Sequence, residues 1–141
     1  MFDKVLLPID LNHPESWTKA LPAALNCAGD SGEIHLLGIV HDLGAAMVAA
    51  YLPVGFEEKA LAEMESGLQA FQASHLAGHA RVHVHVGHGH VPETILKEAA
   101  KLGADLIVIA SHPPGDLGTL LVGSNADKVV RHADRPVLVV R

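Results

Sequence analysis

The sequence has little of what several large classes of protein require. Its 141 residues include one cysteine, Cys27, so neither a disulfide nor a cysteine-rich zinc site can form within one chain. The formal net charge at pH 7 is -6, whereas non-specific nucleic-acid binding and an anionic membrane surface both require a basic face. No apolar run approaches the ~20 residues of a membrane span, and the first residues lack the pattern of a signal peptide. We therefore expect a cytoplasmic protein without nucleic-acid or membrane partners.

What is present indicates one ordinary globular domain over residues 1–141. Hydrophobic residues make up 49% of the chain and charged residues 18%, which is a normal balance for a soluble fold with its own core. A chain of this length can bury about two thirds of its surface, so it needs no disulfide or metal to hold a core together.

Short β-branched runs alternate with longer helical patterns. Strands are predicted at 4–10, 33–40, 81–86, 104–110 and 135–141, and helices at 14–28, 56–76, 92–102 and 124–133. This alternation predicts an α/β fold, a five-stranded parallel sheet with helices on both faces. A common strand order for such a doubly wound sheet is 3-2-1-4-5, and we expect it here.

The third strand, "RVHVHV", alternates in polarity and is typical of an edge strand with one solvated face. Four histidines lie in or just after it, at positions 83, 85, 88 and 90. Imidazoles spaced in this way can bind Zn²⁺, Ni²⁺ or Cu²⁺. We interpret them as polar residues on the wet face of the strand and predict no metal site, with metal sensing as the alternative.

The last strand, "PVLVV", is apolar throughout although the final strand of such a sheet is an edge. A bare apolar edge would aggregate. We therefore expect a homodimer in which residues 135–141 pair with the same strand of a second copy across a two-fold axis. The alternative is that a helix or loop of the same chain covers this edge.

A ligand of an open α/β sheet binds beyond the carboxyl ends of the strands, where the strand order reverses. In the predicted order this crevice lies between the loops that start at Asp10 and Ala110. Asp10 could contact ribose hydroxyls, an adenine amino group or Mg²⁺ through water, or it could simply form a turn or a cap. Gly123 and Ser124 open the last helix, whose start offers backbone N–H groups to a phosphate; Ser124 is the expected N-cap.

Three segments, "VLLPID", "GADLIVIASH" and "LLVGSNADKVVRHADRPVLVV", together resemble the universal stress protein family, and the ending is similar to its short bacterial F/G-type members. The resemblance covers essentially the whole chain. It implies a Rossmann-like fold of the adenine nucleotide alpha hydrolase type, a dimer joined through the last strand, and ATP binding, with Mg²⁺ as the accompanying ion.

The family's nucleotide signature is a glycine, two residues, a second glycine, nine residues, and then Gly-Ser or Gly-Thr. Gly123 and Ser124 match its end, but Ala110 and Pro113 stand where the two earlier glycines belong. Proline has no N–H to donate to a phosphate. The F/G-type members carry a similar turn with proline, and nucleotide binding is attributed to that subgroup.

The resemblance transfers a set of adenine-nucleotide contacts position by position. They are Pro8, Ile9, Asp10, Ile39, Ala110, Ser111, His112, Gly123, Ser124 and Asn125. It implies an ATP-binding, homodimeric module with a regulatory or protective role in stress; the alternative is a dimeric interaction module that has lost the phosphate site. Neither a P-loop lysine nor a Ser-His-Asp arrangement can be recognised, so we expect no enzyme activity beyond slow ATP hydrolysis.

Overall fold

The computed structural model describes residues 1–41, 54–111 and 123–141. Five strands lie in this part of the chain: β1 (Lys4–Ile9), β2 (Glu33–His41), β3 (Val82–Gly89), β4 (Leu106–Ala110) and β5 (Val137–Val140). Four α-helices accompany them: α1 (Ala20–Ala28), α2 (Phe56–His75), α3 (Val91–Leu102) and α4 (Gly123–His132). Among these residues no helix has the length and apolar character needed to cross a membrane.

The strands form one parallel sheet in the order β3-β2-β1-β4-β5, which confirms the predicted α/β class and strand order. β1 is the central strand and pairs with β2 on one side and β4 on the other. The strand order reverses between β1 and β4, so the crevice predicted from the sequence exists at the carboxyl end of these two strands.

Helices cover both faces of the sheet, and each face has its own apolar layer. On one face, Val5 and Leu7 of β1 pack with α1 and α2 through residues such as Ala24 and Leu68. On the other face, residues from the strands pack against α3 and α4, among them Leu6, Leu37, Ile95, Ile107 and Val129. The alternation of β1 side chains between two layers explains why "VLL" is buried at every position.

The first helix is shorter than the sequence pattern suggested. A 3₁₀ turn at Pro14–Ser16 comes first, and α1 begins only at Ala20. Pro22 is therefore the third residue of α1. The N–H groups of the first turn have no acceptor within the helix, so a proline there costs no helical hydrogen bond. This is the shortening that a proline at this position predicts. At the other side of the sheet, α3 ends where Gly103 takes a left-handed φ of 68°.

The two edge strands differ in how they are exposed. β3 runs three residues further than predicted, to Gly89, because its ladder with β2 continues through His41 and Gly89. β5 pairs with β4, and Leu138 is 38% exposed. The carbonyl groups of Pro136 and Val140 accept hydrogen bonds from β4 and the residue after it. Because backbone groups alternate in direction along a strand, the N–H groups of Val137 and Val139 point to the outer edge.

Asp105 ties the start of β4 to the start of β1. Its carboxylate accepts hydrogen bonds from the backbone N–H groups of Asp3 and Lys4, each at 2.8 Å. Burial acts to raise the pKa of this carboxyl, but the two backbone N–H groups outweigh it and hold the pKa below its ordinary value of 3.8. The ionised carboxylate is therefore favoured in the folded state.

Replacing Asp105 with alanine should lower the free energy of unfolding at neutral pH by about 1 kcal/mol, because two charge-assisted hydrogen bonds are lost at a site that water partly screens. The folded-state pKa is depressed, so the contribution is present above pH 3.8 and is lost as the pH falls through the folded value. Urea unfolding of wild type and variant at several pH values measures this difference. An equal loss from Asp30→Ala, at an exposed aspartate, would refute the assignment.

Candidate functional site

Several predicted site residues lie at the carboxyl edge of the sheet. Pro8 and Ile9 are buried at the end of β1 and Ile39 is buried near the end of β2. Ala110 is the last residue of β4 and is 3% exposed. Since parallel strands end at one edge, the fold brings the ends of these three strands together as predicted.

Asp10 follows β1 directly and is 8% exposed. Its carboxylate accepts a hydrogen bond from the Asn12 N–H at 3.1 Å, and its other oxygen lies 3.0 Å from the Nδ1 atom of His13. The buried Ser16 hydroxyl accepts from the Asp10 N–H at 2.8 Å and donates to the Asp10 carbonyl at 3.0 Å. Asp10 therefore forms a turn, which is one of the roles that the sequence left open for this residue. The turn holds the Asp10 carboxylate at the carboxyl end of β1, beside the crevice.

The loop after β4 is described only at its first residue. Ser111 is half-buried, and its backbone N–H donates to the Val140 carbonyl at 2.8 Å. This bond holds the end of β4 against the end of β5. The predicted contact His112 and the signature position Pro113 lie outside the described residues.

The last helix starts one residue earlier than predicted. α4 begins at Gly123, so Ser124 is its second residue and is not the N-cap that the sequence indicated. Asp127, three residues later, could have completed a capping box, but its carboxylate accepts from Arg131 at 2.9 Å, one turn further along. Gly123, Ser124 and Asn125 still form the first turn, where backbone N–H groups point out of the helix.

A cavity of about 460 Å³ lies beside this first turn, between the starts of α3 and α4. Its walls include His41, His90, Glu93, Asn125 and Lys128. Asn125 is the predicted residue that the described structure brings into this wall. The rings of His41 and His90 meet edge to face, with centroids 6.0 Å apart.

Lys128 is one of the cavity residues that sequence reasoning missed, together with His41 and Glu93. A P-loop carries its phosphate lysine directly after a glycine, whereas Lys128 lies one helical turn after Ser124 and on the same side of α4. Its spacing from Ser124 was the signal that could have identified it. Two helix N-termini and one ammonium group facing a single cavity favour an anionic ligand.

A second polar cluster lies where β2 and β3 face α3. His35 of β2 is 6% exposed; its Nε2 atom is 2.8 Å from a Glu33 oxygen and its Nδ1 atom is 2.8 Å from Nε2 of His85. The hydrogen bond from His35 lowers the pKa of the Glu33 carboxyl below its ordinary value. Burial lowers the pKa of His85, with a further lowering from His35 and an opposing effect of Glu98.

The face of β3 that was expected to be exposed to solvent is therefore only partly exposed. His83 is exposed, but His85 is half-buried, and both are joined by a buried histidine from the neighbouring strand. Sequence reasoning missed His35 because "EIHLLGIV" was considered only as a strand and its polar residues were not examined. The signal was the pair Glu33 and His35, which are two residues apart and so share a strand face.

Comparison with known proteins gives a consistent result. The family model described as "Universal stress protein family" matches residues 1–141. Universal stress protein G of Escherichia coli O157:H7 is 37% identical over 145 aligned residues, which cover 100% of both chains.

Two solved structures show the same fold at lower identity. Universal stress protein UspA from Lactobacillus plantarum superposes with a TM-score of 0.70 at 20% identity, covering 99% of this chain and 97% of that chain. A universal stress protein in complex with cAMP gives a TM-score of 0.63 at 20% identity with the same coverage. From the match over the whole chain, the 37% identity to a full-length relative and the shared fold, this chain belongs to the universal stress protein family.

Proposed function

We propose that the protein binds an adenine nucleotide, ATP with Mg²⁺, at the carboxyl edge of its sheet and acts as a cytoplasmic, homodimeric regulatory or protective module in the response to stress. The observation that carries the proposal is the cavity between the starts of α3 and α4, with Asn125 and Lys128 in its wall. Family membership and the solved relative that contains cAMP support adenine nucleotides as the ligand class.

The phosphates would lie against the first turn of α4. Gly123 has no side chain to keep a bulky anion from the backbone, and the helix start supplies N–H donors and the positive end of the dipole. Lys128 adds one mobile positive charge from the next turn. In this arrangement the donors to the phosphates all lie on α4, whereas the family signature also has glycines at the positions of Ala110 and Pro113.

Two carboxylates are candidates for holding the cation that accompanies a triphosphate. Glu93 lies in the cavity wall, and Asp10 is held in the turn after β1. Mg²⁺ is usually held by one or two carboxylates together with phosphate oxygens and water. The adenosine would extend towards the ends of β1 and β2, beside Pro8, Ile9 and Ile39.

The position of the proposed nucleotide site, next to the end of β4, supports a regulatory role. The Ser111 N–H bond to Val140 links the end of β4, next to the crevice, to β5. β5 is the strand proposed to pair with a second copy, so a nucleotide that orders the crevice would also stabilise the dimer edge. A ligand with a different affinity for two dimer states shifts their populations.

Titration of the purified protein with ATP and Mg²⁺, followed by calorimetry and by thermal melting, tests nucleotide binding. We expect a heat of binding and a rise in melting temperature in the wild type. Gly123→Val should weaken ATP binding by tenfold or more, because the new side chain occupies the path of the phosphates. Gly78→Val is the matched control, since a side chain at that glycine meets no atom within 4 Å.

Three results would contradict the proposal at different points. Absence of both heat and melting shift at millimolar ATP would remove nucleotide binding and favour the nucleotide-free interaction module. Unchanged affinity in Gly123→Val would move the phosphates away from α4. Equal weakening by Gly78→Val would point to a general loss of stability.

Lys128→Ala should weaken ATP binding about fivefold to tenfold and leave adenosine binding unchanged. An ammonium group that contacts phosphate contributes about 1 kcal/mol at a partly exposed site, and tenfold corresponds to about 1.4 kcal/mol. Calorimetry with ATP, AMP and adenosine measures the dependence on phosphate number. Lys97→Ala, at an exposed lysine in the middle of α3, should have no effect, and an equal effect there would mean only long-range attraction.

Val139→Pro should convert the dimer to a monomer without unfolding it. The proline removes an N–H that points to the outer edge of β5 and leaves the ladder to β4 in place. Sedimentation velocity measures the state of assembly, and the melting temperature checks the fold. Val84→Pro makes the same change in β3, the opposite edge, at a half-buried valine whose backbone N–H points away from β2. A dimer that persists in Val139→Pro, or is lost equally in Val84→Pro, would contradict pairing through β5.

A further inference from the structure

The cluster on β2 and β3 lies away from the proposed nucleotide site. Glu33 is the first residue of β2, and His35 is opposite His83 in the ladder with β3. The carboxyl end of β2 is at His41, six residues beyond His35, which corresponds to about 20 Å along the strand. Neither ATP binding nor dimerisation accounts for a buried histidine here.

Three side chains of this cluster bring ligand atoms together. One carboxylate oxygen of Glu33, one ring nitrogen of His35 and one of His83 all lie within 4.8 Å of one another. They come from two neighbouring strands that are paired residue by residue, so the backbone sets their spacing. The His35 and His83 rings are stacked, with centroids 4.9 Å apart.

We propose that Glu33, His35 and His83 form a binding site for a divalent cation of the zinc class. The cation would lie between the Glu33 oxygen and Nε2 of His35, which are 2.8 Å apart and share one proton without metal. Ligand atoms around tetrahedral Zn²⁺ are about 3.4 Å apart, given bonds of about 2.0–2.1 Å. Glu33 and His83 have exposed ends that can make this small adjustment, while His35 is held in the core.

His85 would position the buried ligand without touching the metal. When Nε2 of His35 binds the cation, its Nδ1 carries the proton and can donate to Nε2 of His85, 2.8 Å away. A metal-binding histidine usually donates its second N–H in this way, which sets the orientation of the ring. The side chain of His85 packs towards α3, where Gly87 and Thr94 bring strand and helix into close contact.

The donor set selects the class of ion. Two imidazoles and one carboxylate suit Zn²⁺, Co²⁺, Ni²⁺ and Cu²⁺, whereas Mg²⁺ and Ca²⁺ prefer oxygen ligands. Three protein ligands leave a fourth position for water. For His83, this proposal takes the place of the sequence-based expectation that the histidines in and after β3 bind no metal.

Direct titration of nucleotide-free protein with Zn²⁺, in competition with a chromophoric chelator, tests the site. We expect one zinc ion per chain, an increase in melting temperature, and a tetrahedral visible spectrum with Co²⁺. His83→Ala and Glu33→Gln should each weaken Zn²⁺ binding by tenfold or more. Both residues are partly exposed, so their replacement spares the core that His35→Ala would disturb.

Matched controls separate this site from other histidines and acids. His79→Ala and Glu65→Gln change exposed residues of the same types outside the cluster and should leave Zn²⁺ binding unchanged. His85→Ala should weaken binding by about 10–100-fold. His85→Gln should restore most of the affinity and the Co²⁺ spectrum, because the amide oxygen can accept the His35 proton.

Several outcomes would overturn the proposal. One is the absence of Zn²⁺ binding by the wild type, and another is unchanged binding in His83→Ala. Loss of binding in His88→Ala with full binding in His83→Ala would place the ion at the carboxyl end of the sheet. Because the titration is made without nucleotide, its result does not depend on whether the protein binds ATP.

Discussion

The structure depends on the burial of β1 between two parallel neighbours. Val5, Leu6 and Leu7 have no exposed surface, and β1 is hydrogen-bonded to β2 on one side and to β4 on the other. The connections on the two sides of β1 run in opposite directions along the sheet, which creates a crevice where the strand order reverses. Among the described residues, Asp10 follows β1, Ile39 lies in β2 and Ala110 ends β4, so this arrangement positions all three.

The sheet has chemically different regions. At the carboxyl edge, helix N-termini and Lys128 favour a negatively charged ligand. Nearer the amino ends of β2 and β3, Glu33, His35 and His83 offer the donors of a transition-metal site. At the outer edge, β5 exposes backbone groups and the side chain of Leu138. One sheet can carry these surfaces because they use different strands or different parts of one strand.

Much of the fold could be predicted from local patterns. Alternating strands and helices predicted the class and the strand order. The ends of strands and helices were predicted less accurately. β3 continues into "GHG" because β2 offers a hydrogen-bonding partner there, and α4 begins one residue before Ser124. A strand end depends on its neighbour and a helix start depends on the turn before it, and neither is set by the residue type alone.

By itself the sequence determined the family, the alternation of elements and the identity of the first turn of α4, because these are properties of neighbouring residues. Only the tertiary structure brought Lys128 beside His41 and His90, and His35 beside His83 and His85. His35 and His85 are 50 residues apart in the chain. Their contact follows from the register of two parallel strands, which the hydrogen-bonded ladder and the packing of α3 decide together.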